Sequence, residues 1–406
     1  MNCRGCDTDT KQIFLDLGES PVANDLLDEK ELDLREPKYP LRVMVCQVCS
    51  LVQLPTIHTK EELFRDDYIY YSSYSSSWLD HCRDFAFQIT SRLSLSQKDL
   101  VIEVASNDGY LLKFFANKGI SVLGIEPAAE VAKVAIENSV PTHIDFFGAN
   151  LAHSLGLGVT PKLIIANNVL AHVPDIHDFV EGFAVLADQQ TMITFEFPHL
   201  VSLIKNRQFD TIYHEHFSYL SITSLTPIFD SHNLRIIDAE ELPTHGGSLR
   251  LYVVKANSEM VPTQQVDKII ALEMQLDPRD SGVIQKLHFD VNQIRVLLSA
   301  EVFRLKKLGK RIAAYGAAAK GNTLLNFVEL NSTDIDYVVD MNPHKQGKYL
   351  PGSRIPVVGL EHFRKFPPDV VLILPWNLTS EIQKVISTEL GPEVKVIRAI
   401  PKVEYV

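Results

Sequence analysis

The sequence is poor in the features that mark membrane, secreted and nucleic-acid-binding proteins. Its 39 Lys and Arg residues are outnumbered by 51 Asp and Glu, and the net charge is −12. DNA and RNA are therefore not expected as ligands, because backbone phosphates are bound mainly by clustered Lys and Arg. No apolar run is long enough to cross a bilayer, and the first residues lack the basic cluster and apolar stretch of a secretory signal. These absences predict a cytoplasmic protein, free of membrane and nucleic acid, that acts as a monomer or a small homo-oligomer.

Cysteine is scarce, and its placement is uneven. Four of the five cysteines form two C-x-x-C pairs, Cys3 with Cys6 and Cys46 with Cys49. This spacing predicts a zinc ion held by four thiolates, which leaves no position for water and makes the ion structural. A disulfide is disfavoured in the cytoplasm, and a redox motif is disfavoured because neither pair opens a thioredoxin-like strand-to-helix turn. Cys82 is interpreted as a small buried residue.

Length and periodicity predict an α/β protein of several domains. At 406 residues the chain exceeds one ordinary core. From about residue 80, strands alternate with helices as in a parallel sheet wound with helices, and a second alternating unit follows a helical stretch that Pro278 and Gly282 should divide. We therefore expect two Rossmann-like domains behind a small N-terminal zinc-binding domain. The predicted boundaries are 1–60 for the zinc-binding domain, 75–258 for the first Rossmann-like domain, 263–308 for a helical connector and 309–406 for the second Rossmann-like domain.

A strand-turn-helix unit near residue 105 has the features of a nucleoside site. Glu103 lies near the end of a strand, the turn SNDG follows, and Glu126 ends the next strand 23 residues later, where a carboxylate can accept both hydroxyls of a ribose. A dinucleotide needs a glycine-rich pyrophosphate cradle, whereas this turn has one glycine beside carboxylates. S-adenosylmethionine is therefore favoured over a nicotinamide cofactor and over a plain turn. The predicted cofactor-binding residues are Glu103, Ser106, Asn107, Asp108, Gly109, Glu126, Asn167 and Asn168.

The second Rossmann-like domain offers a comparable turn, YGAAAKGN. Gly316 and Gly321 let backbone N–H groups face an anion at a helix N-terminus, and Lys320 adds a positive charge, so a nucleotide diphosphate is the expected ligand. A repeat that only packs is the alternative. The segment HGGSLR could also approach a phosphate, or it could form a hairpin turn. The predicted substrate-binding residues are Tyr315, Gly316, Ala317, Lys320, Gly321, Asn322, Asp340, Lys345, His245 and Arg250.

The segment TIYHEHFSYL concentrates groups suited to proton transfer. An imidazole titrates near neutral pH, and a neighbouring carboxylate can orient it. On a strand His214 and His216 would share one face, whereas on a helix they would diverge. A metal-binding pair and satisfied interior histidines are the alternatives to catalysis. The tyrosines of DDYIYYSSYSSSW could donate hydrogen bonds to an enolate oxygen or to a sugar, or could pack as an aromatic cluster.

Five motifs follow one another in a specific order: the paired cysteines, EVASNDGYLL, YHEHFSY, HGGSLR and YGAAAKGNTLLN. Together they resemble the sugar C-methyltransferases of deoxysugar biosynthesis, which act at C3 of nucleotide-linked 4-keto-6-deoxyhexoses. The resemblance extends over essentially the whole chain. It implies a zinc-binding N-terminal domain, a central S-adenosylmethionine-dependent methyltransferase domain, and a C-terminal domain that completes the substrate site.

The resemblance also implies a mechanism and its residues. A base removes the proton alpha to the C4 ketone, and C3 of the resulting enolate displaces the sulfonium methyl group. The family's Tyr-x-Glu-His pattern corresponds to Tyr213, Glu215 and His216, with His216 as the leading base. The predicted catalytic residues are His216, Glu215, Tyr213, His172, Tyr71 and Tyr74.

Other functions remain open on the residues alone. One is an O- or N-methyltransferase of another small molecule, for which an enolate-forming base is needless. Another is a zinc-stabilised protein that binds nucleotide sugars without turnover. A dehydrogenase that binds NAD in the C-terminal domain is disfavoured by the incomplete glycine fingerprint. The choice between a dTDP- and a GDP-linked substrate is also open.

Overall fold

The structure, a computed structural model, describes residues 1–57, 59, 73 and 76–406. The chain divides into two compact units, each assembled from three separate stretches. The first unit comprises 1–10, 46–200 and 217–275, and the second comprises 11–45, 201–216 and 276–406. Tyr71 and Tyr74, two of the predicted catalytic residues, lie outside the described residues. Within the described part of the chain, no helix is long and apolar enough to span a membrane.

Strands and helices alternate along much of the chain, as predicted. The described strands are β1 (Gln12–Ser20), β2 (Tyr39–Val45), β3 (Val52–Gln53), β4 (Leu100–Val104), β5 (Ser121–Ile125), β6 (Thr142–His143), β7 (Leu163–Asn167), β8 (Met192–Pro198), β9 (Ser218–Tyr219), β10 (Leu234–Leu242), β11 (Ser248–Lys255), β12 (Ile312–Tyr315), β13 (Val338–Val339), β14 (Val357–Val358), β15 (Val370–Ile373), β16 (Lys395–Arg398) and β17 (Glu404–Tyr405). The described α-helices are α1 (Ser76–Arg92), α2 (Leu112–Ala116), α3 (Ala129–Glu137), α4 (Ala149–Ser154), α5 (Ile176–Leu186), α6 (Leu200–Asn206), α7 (Ile222–Ser231), α8 (Gln264–Gln275), α9 (Ser281–Lys307), α10 (Ala319–Val328), α11 (Leu360–Lys365) and α12 (Thr379–Leu390).

The first unit is built on a mixed sheet. Its described strands follow the order β10-β11-β8-β7-β4-β5-β6. The five strands β4 to β8 are parallel to one another, and β11 and β10 extend the sheet in antiparallel pairing. Strand β4 pairs with β5 on one side and with β7 on the other, so the strand order reverses at β4. In open α/β sheets, ligands bind at the carboxyl ends of the strands beside such a reversal.

Alternation along the strands places apolar side chains on both faces of this sheet. In β7, Ile164 belongs to one buried cluster, and its neighbours Leu163 and Ile165 belong to another. All five residues of this strand are buried, as expected when helices cover both faces of a parallel sheet. Cys3 and Cys46 belong to the same cluster as Ile164, so the zinc-binding loops pack on the core of the first unit.

The second unit contains another Rossmann-like sheet. The described strands follow the order β14-β13-β12-β15-β16-β17 and are parallel except for β17. Strand β12 lies between β13 and β15, which places a second reversal of strand order at its carboxyl end. Strands β1 and β2 form an antiparallel pair in the same unit. The predicted α/β fold, with two Rossmann-like sheets and an N-terminal cysteine cluster, is confirmed.

The stretch predicted as a helical connector forms two helices. Helix α8 ends at Gln275, and α9 begins at Ser281 after Asp280, whose carboxylate accepts hydrogen bonds from the backbone N–H groups of Gly282 and Val283. A carboxylate at this position satisfies N–H groups that have no partner within the helix. Apolar side chains spaced three or four residues apart along α9 are buried, namely Leu287, Val291, Ile294, Leu298, Val302 and Leu305.

Candidate active site

The turn after β4 is held in a shape that few residues adopt. Ala105, Asn107 and Gly109 all have positive φ angles, of 57°, 50° and 77°. A Cβ atom on Gly109 would approach Val140 Cγ2 to 3.1 Å, so a larger residue would be both strained and crowded there. Left-handed residues clustered outside regular structure are a common feature of ligand sites.

Three buried carboxyl groups surround this turn. Glu103 is fully buried, and Glu126 accepts hydrogen bonds from the backbone N–H groups of Asn107 at 3.0 Å and Ala128 at 2.9 Å. Burial raises the pKa of Glu103 well above its usual range, and the carboxylates of Asp108 and Glu126 raise it further. Burial also raises the pKa of Glu126 to about 6. A pocket of this kind suits a ligand that carries positive charge and hydroxyl groups.

Several polar atoms at this edge of the sheet lack a hydrogen-bond partner. They are Ser106 Oγ, Asp108 Oδ1 and Asn167 Oδ1, and no described residue donates or accepts a bond there. Buried polar atoms are rarely left in this state without a ligand. The amine, sulfonium and ribose hydroxyls of S-adenosylmethionine match these acceptors and the three carboxyl groups, so the residues fit this cofactor.

The predicted residues that follow β7 lie close to the hairpin between β10 and β11. Asn168 has a φ of 53°, and its Nδ2 lies 3.3 Å from Nε2 of His245, whose φ is also 53°. His172 ends a short 3-10 turn that begins at Leu170. Strands β10 and β11 pair in antiparallel fashion up to Leu242 and Ser248, and His245 lies in the turn that joins them. The hairpin interpretation of HGGSLR is therefore confirmed.

Arg250 lies in a buried cluster of charged and aromatic side chains. Its side chain is 2% exposed and pairs with the fully buried Glu196 at 2.7 Å, so its charge is already neutralised inside the protein. His81 Nε2 lies 2.9 Å from the same carboxylate. Although burial opposes the change, these two neighbours lower the pKa of Glu196. Arg250 therefore forms a buried ion pair with Glu196 in this structure, and its contact with a substrate phosphate stays a prediction. Trp78, stacked on His81 at 5.1 Å and 5.2 Å from the ring of His245, belongs to the same cluster.

The four predicted zinc ligands come together in the first unit. The sulfur atoms of Cys3, Cys6, Cys46 and Cys49 all lie within 4.8 Å of one another, as tetrahedral coordination of one zinc ion requires. Among the described residues, no other group of His, Cys, Asp and Glu side chains converges in this way. Cys82 is 1% exposed and stands apart, as predicted.

The turn after β12 in the second unit is closed by its own side chains. Asp340 accepts a hydrogen bond from the backbone N–H of Ala317 at 2.7 Å, and Lys345 Nζ donates to the Ala317 carbonyl oxygen at 2.7 Å. Gly316 has a φ of 90°, and a Cβ atom there would come within 2.5 Å of Pro375. Asp340 therefore fixes the shape of the turn.

Side chains beside this turn differ in their surroundings. Asn322, in α10, is fully buried, and neither its oxygen nor its nitrogen has a side-chain partner among the described residues. Gly321 packs against Leu374, where a Cβ atom would approach to 2.6 Å. Tyr315, predicted to bind substrate, is 6% exposed and packs in the apolar cluster of the second unit, edge-on to Phe363. It is a core residue, and burial raises its pKa to about 12.

Lys320 belongs to a charged cluster that sequence reasoning missed. Its Nζ donates to Asn377 Oδ1 at 2.8 Å and lies 4.9 Å from the centre of the Trp376 ring. Trp376 Nε1 donates to Asp210 Oδ2 at 2.7 Å. Burial raises the pKa of Asp210 to about 7, against the opposing charge of Lys320. Only the rarity of tryptophan, with two in the chain, could have drawn attention to this cluster.

The segment that contains Tyr213, His214, Glu215 and His216 is neither strand nor helix but an irregular turn in the second unit. His216 Nδ1 lies 2.7 Å from the carbonyl oxygen of Thr211, and its Nε2 lies 2.7 Å from the hydroxyl of Tyr213. His214 contacts another element, with its ring 5.9 Å from that of Tyr39 in β2. The two histidines therefore have different surroundings.

Glu215 is the buried acid of this segment. It is 3% exposed, and both carboxylate oxygens accept hydrogen bonds from Asn24, at 2.9 and 2.8 Å. Burial raises the pKa of Glu215 to about 7, although Asn24 and the charge of Lys345 act in the opposite direction. A carboxyl group with this pKa can donate or accept a proton near neutrality. Asn24 had no sequence signal, because it lies in a loop without a motif.

Comparison with known proteins assigns the chain to a family. Residues 3–64 match a domain family to which zinc binding is ascribed, 78–239 match the methyltransferase domain family, and 243–401 match the C-methyltransferase C-terminal domain family. The chain is 34% identical over 382 residues to the C-methyltransferase NovU of Streptomyces niveus, covering 94% of this chain and 90% of NovU. This chain belongs to the same C-methyltransferase family. The predicted family is confirmed, and so are the cofactors of this C-methyltransferase, S-adenosylmethionine and zinc.

Solved structures resemble parts of the C-methyltransferase only distantly. Magnesium protoporphyrin IX methyltransferase (ChlM) from Synechocystis PCC 6803 is 15% identical, with a TM-score of 0.34 over 48% of this chain and 88% of ChlM. An S-adenosylmethionine-dependent methyltransferase from Clostridium acetobutylicum ATCC 824 is 12% identical, with a TM-score of 0.35 over 48% of this chain and 96% of the other. Neither similarity bears on the site residues.

Proposed function

We propose that this C-methyltransferase methylates C3 of a nucleotide-linked 4-keto-6-deoxyhexose, carried by dTDP or GDP, through an enolate. The observation that supports this proposal most directly is the hydrogen bonding of His216. The carbonyl oxygen of Thr211 can only accept, so Nδ1 carries the ring proton and Nε2 is left with its lone pair. The Tyr213 hydroxyl then donates to Nε2. His216 therefore holds the tautomer that a general base requires.

An enolate makes carbon methylation feasible at this site. A saturated sugar carbon has no lone pair, but removal of the proton next to a ketone makes that carbon nucleophilic. His216 accepts this proton by way of half-buried Tyr213: the Tyr213 oxygen takes the proton from C3 while its own hydroxyl proton passes to Nε2 of His216. The protonated form of Glu215, populated near neutrality because of its raised pKa, can donate a hydrogen bond to the enolate oxygen.

Each unit contributes one ligand site in this proposal. In the first unit, Glu103, Asp108 and Glu126 hold S-adenosylmethionine, which supplies the methyl group as an electrophile. In the second unit, Lys345 and the turn at the N-terminus of α10 bind the nucleotide diphosphate, since Lys345 Nζ already lies at that turn. Lys345 supplies a positive charge at this turn in a protein whose net charge is −12.

The test combines product analysis with isotope exchange. Purified protein is incubated with S-adenosylmethionine and either dTDP- or GDP-linked 4-keto-6-deoxyhexose, and mass spectrometry is expected to record a gain of one methylene group. Without the methyl donor, the protein should exchange deuterium into C3 of the sugar. His216→Ala should lose both activities, because the substitution removes the proposed proton acceptor.

A matched control is His153→Ala, which removes an exposed histidine from α4 and should leave both activities unchanged. Exchange by His216→Ala at the wild-type rate would exclude His216 as the base. Methylation of a hydroxyl in place of C3 would overturn the proposed function.

A further inference from the structure

The partner of Glu215 lies far away in the sequence. Asn24 precedes Glu215 by 191 residues, and its Nδ2 lies 2.9 Å from Oε1 and 2.8 Å from Oε2. Both residues belong to the second unit. Asn24 is exposed whereas Glu215 is buried, so the amide covers the carboxyl group from the solvent side. An amide nitrogen that reaches both oxygens restricts rotation of the carboxyl group.

The loop that carries Asn24 is fixed in place by the C-terminal part of the chain. Leu27 and Tyr349 exchange two backbone hydrogen bonds, each 2.9 Å long. Asp28 forms an ion pair with Lys348 at 3.2 Å. These contacts are made within four residues of Asn24, and they leave its side chain little freedom to leave Glu215.

Few charges act on Glu215 from the elements packed against it. Lys345 is the cation that lowers its pKa, and Asn24 supplies the hydrogen bond. On its own segment the nearest titratable side chains are His214 and His216. Burial outweighs the two favourable contacts, and the pKa of Glu215 is about 7.

We propose that Asn24 is a positioning residue of the methyl-transfer reaction, which fixes the orientation of the Glu215 carboxyl group. This inference rests on the proposed role of Glu215. It gives the stretch 11–45 a function besides its place in the zinc-binding family domain, which matches residues 3–64. Asn24 acts through Glu215, since it holds the carboxyl group by hydrogen bonds and supplies no group that titrates near neutral pH.

The first test measures the carboxyl group without substrate. Infrared spectra of the zinc-loaded full-length protein are recorded across a pH series, and the carbonyl stretch of protonated Glu215 is identified by its loss in Glu215→Gln. In Asn24→Ala the pKa of Glu215 should rise by roughly one to two units, because the ionised carboxylate loses its hydrogen bonds from the amide. Asn24→Asp should raise it further, through repulsion between like charges. The matched control Asp25→Ala, a neighbouring exposed residue, should leave the pKa unchanged.

The second test measures turnover with the nucleotide sugar. In Asn24→Ala the alkaline limb of the kcat/KM profile should move to higher pH, because Glu215 acts in its protonated form, and Asn24→Gln, which keeps the amide donor, should restore part of the wild-type profile. An unchanged Glu215 pKa in Asn24→Ala, or an equal shift in Asp25→Ala, would overturn the inference. A shifted pKa with an unchanged pH profile would also overturn it. If wild-type protein fails to methylate the sugar, the proposed function falls, whereas the infrared titration still decides whether Asn24 holds Glu215.

Discussion

The carboxyl group of Glu103 is buried, so water cannot stabilise its negative charge. The side chain is fully buried, and burial raises its pKa well above the usual range. The free protein therefore keeps the Glu103 proton to a higher pH than an exposed glutamate would. A cationic ligand reverses this preference, because the amine and sulfonium of S-adenosylmethionine favour the ionised carboxylate. Binding and deprotonation are then coupled.

The affinity for S-adenosylmethionine is expected to rise with pH, because binding releases a proton from Glu103. Isothermal titration calorimetry in two buffers with different ionisation enthalpies measures this release. Glu103→Gln should reduce the proton release and weaken binding by roughly tenfold to a hundredfold, the equivalent of one charged hydrogen bond.

The matched control is Glu130→Gln, on the exposed face of α3, where the glutamate pairs with Lys133. Its affinity and proton release should equal those of the wild type. Binding that is independent of buffer and pH would show that Glu103 does not meet a positive charge.

At the scale of elements, hydrogen bonds and close packing also hold the cysteine loops against the rest of the first unit. Arg4, between Cys3 and Cys6, donates hydrogen bonds to the carbonyl oxygens of Leu54 at 2.9 Å and Pro174 at 3.3 Å. Gly5 packs closely, since a Cβ atom there would lie 3.2 Å from Ile228 Cδ1. The zinc-binding loops therefore pack against the same apolar core as the sheet of the first unit.

Loss of one zinc ligand should destabilise the protein. Cys46→Ala is expected to lose the ion and to lower the melting temperature. For a domain of about 150–250 residues, each kcal/mol of stability lost lowers the melting temperature by roughly 2–4 °C. Zinc content is measured by inductively coupled plasma mass spectrometry, and melting by circular dichroism.

Cys82→Ala is the matched control, because it also removes a buried thiol but lies outside the tetrad. It should retain one zinc ion per chain. Full zinc content in Cys46→Ala would contradict the assignment of Cys46 as a ligand.

The elements and the turns could be predicted from sequence for different reasons. The periodic spacing of apolar residues identified the strands of both sheets and the helices that follow them. The acidic turn after β4 was recognisable because its residues are neighbours in the chain. The surroundings of Arg250 and Tyr315 were not recognisable, since a strand residue and its partner across the fold are far apart in sequence. Asn24 and Asp210 could not be found at all, because short loops carry no periodicity.

At the scale of the whole molecule, the chain passes between the two units after residues 10, 45, 200, 216 and 275. The family domains, in contrast, follow one another along the sequence. Sequence reasoning follows the chain and therefore predicted consecutive domains, with the base segment in the methyltransferase domain. The structure groups Tyr213 and His216 with the C-terminal sheet, because the stretch 201–216 packs there.

This arrangement predicts that the first 275 residues cannot fold normally without the rest. Such a fragment contains the stretches 11–45 and 201–216, which pack in the second unit. Phe14 and Phe209 are fully buried there, and the ring of Phe209 lies 5.0 Å from the ring of Phe327, tilted by 60°. Without residues 276–406 these side chains would be exposed to water, so the fragment should bind a hydrophobic dye and melt at a lower temperature than the full chain. Co-expression with the fragment 276–406 should suppress dye binding. A fragment that melts as cooperatively and at the same temperature as the full chain would mean that these stretches do not need the second unit.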